Sequence, residues 1–233
     1  MSNLSTRDIK EYFLKYKEET KSHLEKIYLN KKHLLIKISI FLLVGFLIFL
    51  ISFLTRDAML NATQTSWVLI PNFLDIKIIE NTGISFGSLS QTSPGVVYFV
   101  QSLPIIIGFI AFIFSSHYFL DVGISMLFFA GMSNIIDRSL PDVYINKIMA
   151  TENDAVVDYF QFSFIKDSAI FNFPDVFITI SVGLICLHII IAWVKEYKKE
   201  SAKEKNKLVK EHVHDETRNN KPYKTIKTIK TKK

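Results

Sequence analysis

At 233 residues, 49% of them hydrophobic and 21% charged, the chain has the length of one modest soluble domain, but its residues are distributed in a way that excludes one. Long, nearly charge-free runs alternate with charged ends, the pattern of a polytopic membrane protein. The single cysteine, Cys186, excludes an intrachain disulfide framework, and the net charge of +6 conceals an asymmetry that sets the topology.

Residues 1–32 are charged, yet Ile9, Tyr12, Phe13, Tyr16, Leu24, Ile27 and Tyr28 recur at helical spacing among lysines. Two readings stay open: an amphipathic helix lying on an anionic leaflet, or a partly ordered cytosolic extension. Residues 34–54 form the first span, interrupted only by Lys37, whose stem is expected to snorkel toward the inner headgroups. The run exceeds a signal-peptide core and no small-x-small cleavage site follows it, so it is expected to be retained. Residues 55–94 form an external segment with β-rich stretches at Trp67–Ile70 and Phe73–Ile79, which suits a small sheet resting on the membrane.

The second span covers residues 95–116 and contains Pro104, where a kink is expected. A short turn at His117 leads to the third span, residues 118–136, and a second external segment, 137–175, leads to the fourth, 176–194. Asn172 suits the N-cap of that last helix, and Pro174 falls in its first turn, where a missing N–H does little harm. With 20 phenylalanines and 8 glycines, the spans are expected to pack through bulky side chains more than small-residue seams. The tail, 195–233, ends in a repeated Lys-Thr-Ile unit and reads as disordered and solvated, with no specific nucleic-acid partner. The domain organisation is thus a basic extension, 1–32, a four-span domain, 33–194, and a basic tail, 195–233.

Charge bias orients the chain. Residues 1–37 carry nine Lys/Arg and the tail fourteen, against two and three in the segments after the first and third spans. Both termini are therefore expected in the cytoplasm and both segments outside, which gathers Asn81, Asp137, Asp158 and Asp175 at the outer face.

Four polar clusters lie on that side. Asn81-Thr82-Gly83 after a strand is an ordinary turn signal; functionally, the Asn81 amide would bind a substrate backbone, with Gly83 permitting close approach. Asn134 with Asp137-Arg138 at a span's outer end is either structural glue or a brace for the external loop. Asp158 alone would be solvated surface, and Asn172 with Asp175 mere helix capping. Jointly they point to one site. Two carboxylates seventeen positions apart, one at the mouth of an apolar run, can share a single proton if they converge.

In order and topology these pieces resemble lipoprotein signal peptidase, the signal peptidase II family of membrane aspartic peptidases. The matching stretches are Ile70-Pro71, Asn81-Thr82-Gly83-Ile84-Ser85-Phe86, Gly131-Met132-Ser133-Asn134-Ile135-Ile136-Asp137-Arg138, Val156-Val157-Asp158-Tyr159 and Phe171-Asn172-Phe173-Pro174-Asp175, within residues 34–194. Three departures stand out. Ser52 and Arg56 occupy the positions of the Asp and Lys in the family's Asp-Gln-x-x-Lys, Ser133 replaces a usual Gly, and residues 139–154 look like an inserted loop.

The resemblance implies Asp158 and Asp175 as the catalytic dyad, with Asn81, Gly83, Asn134, Asp137, Arg138 and Asn172 binding substrate or supporting it. It implies an all-α integral membrane fold of four transmembrane helices with a small external β-rich segment. The implied substrate is a diacylglyceryl-modified prolipoprotein, cut on the amino side of its lipidated Cys by a monomer in the bacterial cytoplasmic membrane, in contact with membrane lipid and with its active site at the outer face. No metal or cofactor is expected, and a serine mechanism is disfavoured because neither external segment holds a histidine. The rival reading is a small ion- or proton-coupled carrier or a non-catalytic scaffold, which predicts acids near the midplane and internal repeats.

Overall fold

The structure is a computed structural model that describes residues 6–84, 88–140, 144–145, 149–150 and 154–219. The end of the Asn81 motif (Ser85-Phe86), most of the 139–154 stretch and the Lys-Thr-Ile repeat lie outside those residues. The chain divides into two compact units, Met1–Cys186 and Leu187–Lys233.

The first unit begins with helix α1 (Thr6–Leu29), followed by α2 (Lys31–Leu60). Asn30 breaks the path between them and caps α2, its side chain accepting from His33 N at 3.1 Å. Strands β1 (Ser66–Ile70) and β2 (Leu74–Asn81) come next, then α3 (Pro94–Phe114) and α4 (Tyr118–Ser139). A two-residue hairpin, β3 (Tyr144–Ile145) with β4 (Met149–Ala150), precedes β5 (Val156–Phe162), β6 (Ile170–Phe171) and the long α5 (Phe173–Asn219), whose C-terminal part belongs to the second unit. Among the described residues, four helices are long and apolar enough to cross a membrane: Lys31–Leu60, Pro94–Phe114, Tyr118–Ser139 and Phe173–Lys205. Among the described residues the fold is mostly helical, with four candidate spans, a small four-stranded antiparallel sheet and the two-stranded β3–β4 pair.

Helix α2 runs past the expected end of its apolar run because Thr55 and Arg56 continue the helix into polar surroundings until Asn61 takes its C-cap. The sheet has the order β1-β2-β5-β6, all antiparallel. Its first two strands match the β-rich stretches of the sequence. Its third and fourth come from the segment before α5, where no strand is expected from the sequence; pairing of β5 with β2 on one side and β6 on the other satisfies that backbone. Leu60, Ile76, Ile78, Val157 and Tyr159 form the small core on which the sheet rests.

Between the spans, phenylalanine does the packing, and glycine makes room for it. The Phe41 ring lies 4.6 Å from both Phe112 and Phe129, joining α2, α3 and α4. A Cβ at Gly45 would fall 2.5 Å from the Phe129 ring, and one at Gly131 would fall 2.7 Å from Ile105. Bulk and small-residue notches are therefore two halves of one interface, not alternatives.

Lys37 corrects its expectation. It does not snorkel: it is 1% exposed, donates to Ser115 O at 2.6 Å, sits over the Phe112 ring at 4.6 Å and lies 4.0 Å from Asp121 on α4. Tyr28 Oη donates to Ile113 O and His23 Nε2 to Phe114 O, each at 3.0 Å. Side chains of α1 and α2 thus satisfy the orphan carbonyls at the end of α3.

Candidate active site

Three elements carry the acidic site. Register pairs Ile79 with Asp158 and Asn81 with Val156, so Asn81 and Asp158 are diagonal neighbours on one face of the β2–β5 pair. Asn81 Nδ2 accordingly donates to Asp158 Oδ2 at 2.9 Å. The other oxygen, Oδ1, accepts from Asn172 Nδ2 at 2.9 Å.

Asn172 is the hub. Its Oδ1 accepts from Asp175 N at 3.0 Å while Asp175 Oδ2 accepts from Asn172 N at 3.2 Å, a reciprocal capping box at the start of α5. Its Nδ2 also donates to Asn134 Oδ1 at 3.1 Å, and Asn134 Nδ2 donates to Asp175 Oδ1 at 3.1 Å. The two carboxylates, one on β5 and one on α5, are thereby held by three asparagines, and Asn172 reaches both, Asp158 by its side-chain amide and Asp175 by its backbone N–H.

Asp158 is 2% exposed. Burial first, and the neighbouring Asp175 charge second, push its carboxyl up to about 7, while the Asn81 hydrogen bond pulls the other way. Near neutral pH one proton is therefore readily kept on the pair, and the two acids are best treated as a coupled unit.

The supporting residues divide into two braces. Arg138, 1% exposed, spreads its guanidinium over Gly83 O at 2.5 Å, Asn81 O at 3.2 Å, Asp154 O at 2.5 Å and Gln101 Oε1 at 3.2 Å. It fixes the turn in which Gly83 N donates to Asn81 Oδ1 at 2.9 Å. Asp137 does not pair with its neighbour Arg138. It bonds Arg56 Nε of α2, and its Oδ2 accepts from Val157 N at 3.0 Å, beside Asp158.

All eight sequence candidates therefore lie in one connected network. Sequence reasoning left out several members. Arg56 was legible as a stand-in for a family lysine. Tyr159, whose hydroxyl donates to Thr55 Oγ1 at 2.9 Å and accepts from Phe173 N at 3.2 Å, follows Asp158 directly. Gln101 and Tyr98, which donates to Asp154 Oδ1 at 3.0 Å, carry no local signal at all. Gly83 to Gly87 also has Gly-x-Ser-x-Gly spacing, so the case against a serine mechanism rests on the missing histidine alone. Among the described residues, no three His, Cys, Asp or Glu side chains group as metal ligands.

Comparison with known proteins agrees with this architecture. A family model described as signal peptidase (SPase) II matches residues 40–191. A lipoprotein signal peptidase of Malacoplasma penetrans is 56% identical over 212 residues, 91% of this chain and 88% of that protein. One of Mycoplasma genitalium is 32% identical across 72% of this chain and 86% of its own length. A solved structure described as a bacterial membrane enzyme aligns with a TM-score of 0.55 and 28% identity, over 69% of this chain and 90% of that one. Four apolar helices and these relatives define the class: a protease built into a membrane. The chain belongs to the signal peptidase II family, whose curated members are lipoprotein signal peptidases.

Proposed function

We propose that the chain removes the signal peptide from diacylglyceryl-modified prolipoproteins, cutting on the amino side of the lipidated Cys. Asp158 and Asp175 act as a general acid/base pair on one water. The observation that carries this reading is that Asn172 holds both carboxylates, Asp158 by its side-chain amide and Asp175 by its backbone N–H, with burial raising Asp158 to about 7. One ionised carboxylate takes a proton from the water, and the resulting hydroxide attacks the scissile carbonyl. The protonated partner donates to the carbonyl oxygen. As the tetrahedral intermediate collapses, the C–N bond breaks and the proton passes to the departing Cys nitrogen. Arg138 and Asn81 hold the turn that covers the pair, with Gly83 leaving room for substrate backbone, while Asp137, Asn134 and Asn172 fix the acids.

The charge count supports cytoplasmic termini, which would put the sheet and both acids at the outer face of a bacterial cell membrane. Acyl chains would hold a lipidated Cys at that depth. The catalytic part is residues 33–194, acting as a monomer with lipid around it; the basic extensions 1–32 and 195–233 lie outside it. Incubating the purified full chain in detergent with diacylglyceryl prolipoprotein and no ion gradient tests the reading. Cleavage before the modified Cys is expected, and inert substrate would overturn this reading of substrate and mechanism.

A further inference from the structure

Between α2, α4, β5 and the start of α5 lies a cavity of about 20 Å³ lined by Ser52, Arg56, Ser133, Asp137, Tyr159 and Asn172. The space is large enough to hold a water. Ser52 is 7% exposed and its Oγ is buried with no hydrogen-bond partner. Its neighbour Thr55 behaves differently, returning its hydroxyl to Ile51 O at 2.7 Å and Ser52 O at 3.1 Å. A buried hydroxyl left unmatched is destabilising, so its persistence calls for a partner. The rest of the lining can supply it. Arg56 spends Nε on Asp137, and among the described residues its other N–H groups have no protein acceptor. Asp137 retains lone pairs beyond those used by Arg56 and Val157 N.

We propose that this cavity binds one water, shared by Ser52 Oγ, the Arg56 guanidinium and the Asp137 carboxylate, and that Ser52 is thereby a positioning residue for the acid pair. The route is short. The water fixes Asp137, Asp137 holds Val157 N at 3.0 Å, and Val157 precedes Asp158 on β5. A serine hydroxyl with a water fills the space that a longer polar side chain would occupy. The positioning half of this proposal rests on the peptidase reading; the hydration half does not.

Thr and Val have nearly the same shape and differ in the hydroxyl, so Ser52→Thr and Ser52→Val form the discriminating pair. Both are assayed as full chains in lipid against diacylglyceryl prolipoprotein, beside a high-resolution crystal structure of the parent. The Thr variant is expected within about threefold of the parent in kcat and the Val variant about tenfold lower, with KM little changed. The parent structure is expected to show an ordered water within hydrogen-bond distance of Ser52 Oγ and Asp137. Equal kcat for Thr and Val, or a parent structure with no water there, overturns the proposal. If neither branched variant folds, Ser52→Ala decides: a similar loss in kcat supports it and an unchanged kcat overturns it. If the parent cleaves nothing, the peptidase reading fails, and the crystallographic water still decides the hydration site.

Discussion

The two ends of α4 solve the same physical problem in opposite ways. At its N-terminal end, Asp121, 0% exposed, faces Lys37, 1% exposed, at 4.0 Å. Opposite charges neutralise one another there, and the pair joins α2 to α4. At its C-terminal end, Asn134 donates to Asp175 and accepts from Asn172, which in turn holds Asp158, and the two carboxylates cannot neutralise one another. Among the described residues their hydrogen bonds come from asparagines, and burial with the neighbouring Asp175 charge favours a proton on Asp158. A buried acid beside a base is a clasp; a buried acid beside an acid is, on the proposed reading, a reagent.

The widest break in that contrast is expected at the acid pair. Asp158→Asn or Asp175→Asn should each lower cleavage of diacylglyceryl prolipoprotein by roughly 10²–10⁴-fold while the protein still inserts. Processing at the parental rate by either variant would end the dyad reading. The clasp should fail differently. Lys37→Met leaves a buried charge alone and should reduce stability by about 3–5 kcal/mol, read by thermal unfolding in detergent. Adding Asp121→Leu should restore most of it, with cleavage per folded molecule close to parental throughout.

Smaller effects sharpen the C-terminal end of α4. Arg138→Lys keeps the charge but not the fork that spans three carbonyls, so kcat should drop about tenfold. The smallest effect is one of pH. With the Asp158 carboxyl raised to about 7, kcat/KM should fall as pH rises through that value and the pair loses its proton. Asn81→Ala removes the hydrogen bond that favours the ionised form, so this limb should move to higher pH by less than about one unit. Stability follows the same group. The folded protein keeps a proton that the unfolded chain has released between pH about 4 and about 7, so unfolding temperature should decline as pH rises across that window.

Sequence alone determined the spans, because a run of about twenty apolar residues has one low-energy place to go and needs no partner to declare it. It also determined the identity of the acids and their neighbours, since short motifs in fixed order survive as text: Asn81, Asn134, Asp137, Arg138, Asp158, Asn172 and Asp175 all reappear in one network. Tertiary structure decided who bonds to whom. Lys37 sits within two turns of a helix end and so reads as snorkelling; Asp121, eighty-four positions on, turns it inward. Asp137 reads as the partner of adjacent Arg138, yet successive helical side chains diverge, and Arg56 on another helix takes it. Strand β5 has no edge to pair with until β2 is laid beside it, and with that pairing comes the Asn81 bond to Asp158. A hydrogen bond depends on distance and angle between elements that no local pattern encodes.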